Sequence, residues 1–294
     1  LDGFICVDKP VGPSSFSAAQ AVRRSLKISK AGHAGTLDPM ASGLLVVALG
    51  RCTRLLEHLS LEPKVYEFSV TFGRSTDTLD AEGNVTAESD VIPSADKLTD
   101  VLKRFTGTIE QIPPRYSAIK IGGTPAYKLA RKGVDVEMKA RAVTIYDLEM
   151  CGYDIGERRA DFTVGCSAGT YVRSLAIDIV KAADISAEGF VNKLRRTRTG
   201  RFDLSMAVDY QHLSDGMNYI INADGAFDDS LKTVIDNAQK SEISKGRKVV
   251  ISGDKSVDND CSKNMLIAFD SEGALSAVLK RVDGDLYHPE KVFL

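Results

Sequence analysis

Apolar residues recur along this chain with two distinct periods, and the periods mark out its elements. Residues 3–7 read as a short strand that runs into a Lys9-Pro10-Val11-Gly12-Pro13 turn. A helix should follow, with Ala18, Ala21, Val22 and Leu26 as its apolar stripe and Ser15 or Ser17 as its cap. A glycine-bounded loop at 32–43 leads into the unbroken apolar run 44–49, the pattern of a buried strand. Residues 64–72 alternate strictly, with Tyr66, Phe68, Val70 and Phe72 on one face and Glu67, Ser69 and Thr71 on the other. Leu98, Val101, Leu102 and Phe105 then fall at helical spacing, which predicts a helix over 94–105. Strands are expected at 143–150 and 160–166, with Phe162, Val164 and Cys166 sharing a face, and a helix at 170–183. From about residue 240 the pattern shortens. Residues 265–269 and 274–282, separated by Asp270-Ser271-Glu272-Gly273, read as a hairpin. Strands and helices interleave without the regular period of a doubly wound sheet. The fold class is therefore α+β with a mixed, mainly antiparallel sheet, and the domains are 1–239 and a small β-rich unit at 240–294.

Composition adds little beyond an ordinary globular enzyme: 294 residues, 43% hydrophobic and 27% charged. No run approaches the length of a membrane span, and the first residues lack the basic and small-residue features of a signal peptide. Five scattered cysteines, at 6, 52, 151, 166 and 261, read as reduced thiols of a cytoplasmic protein. The histidines at 33, 58, 212 and 288 share no ligand spacing, so no metal is expected.

Charge changes the picture through its distribution. Lys and Arg outnumber Asp and Glu by 28 to 24 in residues 1–202, stand at 1 to 7 in 203–239, and balance at 9 to 9 in 240–294. Residues 115–141 carry seven bases against two acids, and Lys193, Arg195, Arg196, Arg198 and Arg201 form a second cluster. Each run alone reads as a solvated helix or loop; together they suggest a surface facing phosphates.

The string Gly32-His33-Ala34-Gly35-Thr36-Leu37-Asp38-Pro39 is the most unusual in the chain. Pro39 holds Asp38 extended, and the loop presents one carboxylate and one imidazole ahead of a buried strand. A plain turn in which Asp38 satisfies backbone amides is the competing reading. The string closely resembles the catalytic motif of the TruB family of tRNA pseudouridine-55 synthases. Asp8-Lys9-Pro10, Lys64-Val65-Tyr66, Gly73-Arg74 through Thr76-Asp77-Thr78 to Asp80, Gln111-Ile112-Pro113-Pro114, Gly169-Thr170-Tyr171-Val172-Arg173 and Leu194-Arg195-Arg196 resemble further family motifs. They stand in the family's order over about residues 3–200. One departure is Ala168, where the family often has Lys before Gly-Thr-Tyr. The tail, with Lys245-Gly246-Arg247 and Pro289, resembles a divergent PUA-type RNA-binding domain.

The resemblance implies a pseudouridine synthase fold and a reaction that breaks the C1′–N1 bond of uridine and joins C1′ to C5. That chemistry requires no cofactor. It implies Asp38 as the acting carboxylate, Arg173 as its fixed cation, and Tyr66 as a stacking platform with a hydroxyl near C5. His33, Tyr171, Leu194, Lys9, Arg195 and Arg196 are the implied substrate-binding and loop-supporting residues. The partner implied is the T-arm of tRNA, with residues 115–141 as a flap upon it, and the chain is expected to act as a cytoplasmic monomer without an obligatory protein partner. Other readings remain: a guide-RNA-dependent or ribosomal-RNA-directed synthase, a non-catalytic tRNA-binding or folding protein, or a hydrolase using Asp77 or Asp80 as a second carboxylate.

Overall fold

The computed structural model describes residues 1–134, 136–252 and 264–294. Cys261 and one residue of the expected flap, Asp135, lie outside the described residues. Strand β1 (Gly3–Lys9) is buried along almost its whole length, and helix α1 (Ser15–Ser25) lies against β2 (Ala31–Ala34) and β3 (Ser42–Leu49). The cap of α1 is Ser14, which accepts from the Ser17 amide; Ser15 and Ser17, the expected caps, both lie inside the helix. The expected glycine loop is shorter than 32–43, because Ala31–Ala34 pairs with β3 as a strand of its own.

Next come β4 (Lys64–Phe72), a small ribbon of β5 (Arg74–Thr76) and β6 (Val85–Glu88), helix α2 (Ala95–Leu102) and β7 (Gly107–Gln111). The basic stretch 115–141 holds a two-residue ribbon, β8 (Lys120–Ile121) and β9 (Thr124–Pro125), with helix α3 (Ala126–Ala130) behind it. After it run β10 (Arg141–Asp154), β11 (Arg159–Cys166), helix α4 (Val172–Ala183) and β12 (Gly189–Thr199). Short strands β13 (Phe202–Asp203), β14 (Ala207–Asp209) and β15 (Ile220–Ile221) complete a sheet ordered β14-β1-β3-β12-β4-β11-β10-β7. Its pairs are antiparallel except β1 with β14 and β12 with β3. The sheet is thus mixed and mainly antiparallel, as the interleaved pattern predicts.

The alternation in β4 explains how the sheet is covered. Tyr66, Phe68, Val70 and Phe72 share one buried cluster with Leu175, Ile179 and Val180 of α4 and Leu98 and Leu102 of α2. Phe68 stacks on Phe162 of β11 with ring centroids 5.1 Å apart. This face anchors α4, and with it Arg173, against the middle of the sheet.

A second sheet follows the order β16 (Lys232–Val234), β18 (Met265–Phe269), β19 (Leu275–Asp283), β20 (Leu286–Val292), β17 (Val249–Val250). It begins ahead of residue 240, and β18 and β19 form the expected hairpin. The two sheets share a core, since Phe4, Leu44 and Val46 cluster with Ile267, Phe269, Val278 and Phe293. Arg54 reinforces the junction: its guanidinium lies 4.6 Å from the Phe293 ring centroid and donates to the Val292 carbonyl at 2.8 Å.

The parallel register Arg196↔Gly43 brings β12 against the end of the motif loop. Gly43 adopts φ +99°, and a Cβ there would run into the Arg196 backbone carbonyl. Both the conformation and the approach demand glycine. Gly43→Ala is expected to cost about 2–4 kcal/mol of stability, read as a lower urea midpoint with an unchanged m-value.

Candidate active site

The motif loop is held from several sides before Asp38 is reached. Ser15 donates its hydroxyl proton to the Leu37 carbonyl at 2.9 Å and accepts from the Leu37 amide at 2.8 Å, tying the loop to α1. The Pro39 carbonyl accepts from the Gly12 amide at 2.8 Å and from Lys9 Nζ at 3.4 Å. Arg196 donates from Nη2 to the Gly35 carbonyl and from Nε to the Leu44 carbonyl, both at 2.8 Å. Such bonds to backbone carbonyls leave the loop little freedom, so the Asp38 side chain projects from a fixed base.

That side chain meets Arg173. Nη2 of the guanidinium lies 2.8 Å from Asp38 Oδ2. The Arg173 side chain is 4% exposed and Asp38 36%, so the pair has a buried cationic end and an accessible anionic one. Arg173 is held further by Asp80, at 3.1 Å from Nη1, and by the Thr78 and Tyr116 carbonyls at 2.6 Å and 2.9 Å. A buried cation with four acceptors is fixed in its orientation. Asp80 is itself 5% exposed and engaged with Arg173, while Asp77 accepts from Asn84 in a turn. Neither is placed as a second reacting carboxylate, which removes the support for a paired-acid hydrolase.

The aromatic residues stand in the field of Asp38. Tyr66 is 7% exposed, and burial pushes its phenol above the usual range, with Arg196 opposing and Asp38 adding to the shift. Tyr171 is half-buried beside Ser117, and burial followed by Asp38 pushes its phenol up as well. Gln111 fixes the Tyr171 backbone, accepting from its amide at 2.8 Å and donating to its carbonyl at 3.1 Å. His33, on β2, lies 3.4 Å from the Thr36 hydroxyl, and burial together with Arg196 pushes its pKa down. Lys9 is wholly buried, with Nζ donating to the Pro10 and Pro13 carbonyls at 2.8 Å and 2.9 Å; burial lowers its pKa to about 8 while Asp38 opposes.

Leu194 and Met40 line a cleft of about 660 Å³ together with Phe68, Ser42 and Lys193. Asp38 and Arg173 are not among its walls.

The basic run 193–201 needs correction. Residues 193–199 lie in the central strand β12, with Arg201 in the turn that follows, and the bases do not make one phosphate-facing surface. Arg196 is 0% exposed and braces the motif loop. Arg195 pairs with both oxygens of Asp8, at 3.0 Å and 2.6 Å. Sequence reasoning also missed Asp80 as the second partner of Arg173 and Ser15 as the brace of Leu37. Asp80 stands in a quoted motif, yet nothing local to it points 93 residues ahead to Arg173. Of the cysteines, Cys6, Cys52 and Cys166 are buried and free, and Cys151 is exposed and free. Among the described residues no cluster of His, Cys, Asp and Glu is placed to hold a metal ion, and no helix is long and apolar enough to cross a membrane.

Residues 23–172 match the model of the TruB family pseudouridylate synthase N-terminal domain. The chain is similar to the tRNA pseudouridine synthase B of Caulobacter sp. (strain K31), 40% identical over 258 residues, covering 85% of this chain and 82% of the relative. It is also similar to the tRNA pseudouridine synthase B of Aquifex aeolicus (strain VF5), 38% identical over 254 residues, covering 85% and 88%. Among solved structures, a chain of the Cbf5-Nop10-Gar1 complex superposes with a TM-score of 0.71 at 26% identity, covering 99% of this chain and 85% of that one. An ion pair presented by the family's own motif, on a fold shared nearly end to end, places this chain in the TruB family of pseudouridylate synthases.

Proposed function

We propose that this chain converts uridine to pseudouridine in tRNA, at position 55 of the T-loop, with Asp38 as the acting carboxylate. The observation that carries the reading is the Asp38–Arg173 pair at 2.8 Å, with the carboxylate end accessible and the guanidinium end buried. In the reaction the C1′–N1 bond breaks, the base turns, C1′ joins C5, the proton on C5 leaves and N1 takes one up, so the product is an isomer of the substrate. Nothing is oxidised and nothing is hydrolysed. An ionised carboxylate held close to the sugar and base is the minimum requirement, as nucleophile or as base. Arg173 holds Asp38 aimed while the target nucleotide displaces water from it.

The uridine must leave its stack, which costs a few kcal/mol, roughly. Tyr66 offsets about 1–3 kcal/mol of that by stacking, and its hydroxyl serves the proton transfer at C5. His33 and Tyr171 wall the seat, and Leu194 with Met40 forms its apolar side. Lys9 and Arg196 support the loop from below. Residues 115–141 close on the T-arm as a flap, and the 240–294 unit lies against the remaining tRNA. The protein acts as a monomer in the cytoplasm, without a partner subunit.

Curated relatives named as tRNA enzymes at 38–40% identity support tRNA over a guided substrate. The likeness to the Cbf5-Nop10-Gar1 chain favours a second, partner-dependent reading on fold alone. Mapping pseudouridine in unmodified tRNA after incubation with the purified chain alone separates them: a single modified uridine in the T-loop is expected, and no product without added subunits would sink the first reading.

Asp38→Asn is expected to lower turnover by about 10³-fold or more while tRNA affinity stays within a few fold, which also separates an enzyme from a tRNA-folding protein. Tyr66→Phe keeps the stacking ring and loses the hydroxyl, so KM should hold while kcat falls by about 10²-fold in single-turnover assays. Asp80→Asn removes the buried partner of Arg173; a loss of about 2–4 kcal/mol in stability and a parallel fall in kcat are expected from denaturation and rate measurements.

A further inference from the structure

One corner of the site carries two cations, and among the described residues no carboxylate forms an ion pair with either. Arg196 bonds to the Leu44 and Gly35 carbonyls with the Tyr66 phenol also against it, all neutral groups, and among the described residues no carboxylate pairs with it. Lys64, the first residue of β4, stands beside it. A Cβ built on Gly35 would lie 3.3 Å from Arg196 Nη1 and 3.7 Å from Lys64 Nζ. Gly35 has φ +67° and no side chain, which leaves a notch in front of both cations. Among the described residues the Lys64 ammonium has neither a hydrogen bond nor an ion pair. Burial and the adjacent guanidinium push its pKa down. Glu62 accepts from the Ala168 amide and the Tyr146 hydroxyl and offsets part of the Lys64 charge from beyond ion-pair distance, while Asp38 is paired with Arg173.

Two half-compensated cations side by side are unfavourable in the free protein, and an arriving anion relieves the cost. The rim of the notch is half-open, with Gly35 and His33 partly exposed and Thr36 exposed. The Thr36 hydroxyl and the His33 imidazole supply neutral polar groups at that rim. A tetrahedral anion carried on a chain, held by one ammonium, one charge from beneath and polar rim groups, fits this chemistry. We infer that the Gly35 notch seats one phosphodiester of the RNA strand beside the reacting nucleotide, with Lys64 in contact and Arg196 adding its charge from below. The inference rests on the tRNA reading above and deepens it by assigning a binding role to Lys64.

The test compares wild type, Lys64→Gln and Lys64→Arg, with a fluorescent T-arm hairpin RNA titrated across a series of KCl concentrations. Lys64→Gln should weaken binding about tenfold at 0.1 M KCl and take about 0.7–0.9 off the slope of log affinity against log salt. Lys64→Arg should restore that slope. Methylphosphonate placed at single linkages around the target uridine should weaken wild type at one linkage, and the Lys64→Gln protein should be indifferent there. The Lys64→Gln melting temperature should equal or exceed that of wild type, because no bond within the protein is lost and an uncompensated cation is removed. Equal salt slopes, additive losses at every linkage, or a lowered melting temperature with unchanged RNA affinity would each overturn the inference. If wild type makes no pseudouridine in tRNA, the function reading fails; if it does and Lys64→Gln binds with the wild-type slope, only the phosphate seat fails.

Discussion

A guanidinium shared between two carboxylates in the interior is the constraint on which the site depends. Removing Arg173 from water costs several kcal/mol, roughly, unless its charge and donors are met. Asp38, Asp80 and the carbonyls of Thr78 and Tyr116 meet them, and they arrive from three different stretches of chain. The motif loop, the turn after β5, the segment after β7 and helix α4 must therefore all be in place before the cation is satisfied. The two acids differ in exposure, and that difference has chemical use. Asp80 is sealed in and compensates Arg173 at all times, whereas Asp38 is accessible. In the proposed reaction, where Asp38 gives up its charge to a bond or a proton, Arg173 would keep Asp80 as its counter-ion. A lone Asp–Arg pair would strand a buried cation at that moment, which would oppose the step.

The second requirement is that Asp38 not wander. Carbonyls do most of this holding: Pro39 by Lys9 and Gly12, Gly35 and Leu44 by Arg196, Leu37 by Ser15. Cationic donors to carbonyls suit the task, since they leave the carboxylate of Asp38 unengaged. An acid among these clamps would compete for Arg173 or repel Asp38. Preorganisation of this kind spares the reaction the cost of ordering the loop once the substrate has bound.

The visible part of the design in the sequence was its periodic part. Alternation in Tyr66, Phe68, Val70 and Phe72 correctly gave a strand with one buried face, and helical spacing gave α2 and α4 to within a few residues. The pairing of Asp38 with Arg173 came only from resemblance, because no local pattern spans that distance. Strand β12 was hidden for a physical reason. A strand between two neighbours is expected to be apolar, yet Arg195 and Arg196 lie in it, their charged heads satisfied by Asp8 and by backbone carbonyls. Their stems pack as hydrocarbon, which residue type alone does not report. The second sheet likewise starts at Lys232–Val234, three residues too short and too polar to register as a strand.

Counting bases along a segment was for the same reason a poor guide to where RNA would be met. In the run 193–201, Arg195 faces Asp8, Arg196 is buried, Arg198 donates to the Gly200 carbonyl, and Arg201 stands 3.6 Å from Asp228 and donates to the Phe227 carbonyl. Only Lys193 extends into the cleft without such a partner among the described residues. A cation paired with an acid contributes little field at a distance, while one facing neutral carbonyls keeps nearly all of its own. The attraction for a phosphate at this site is therefore set by which charges the fold leaves uncompensated. On that criterion the proposed phosphate seat draws on Arg196 alone from the run, together with Lys64 from a different strand.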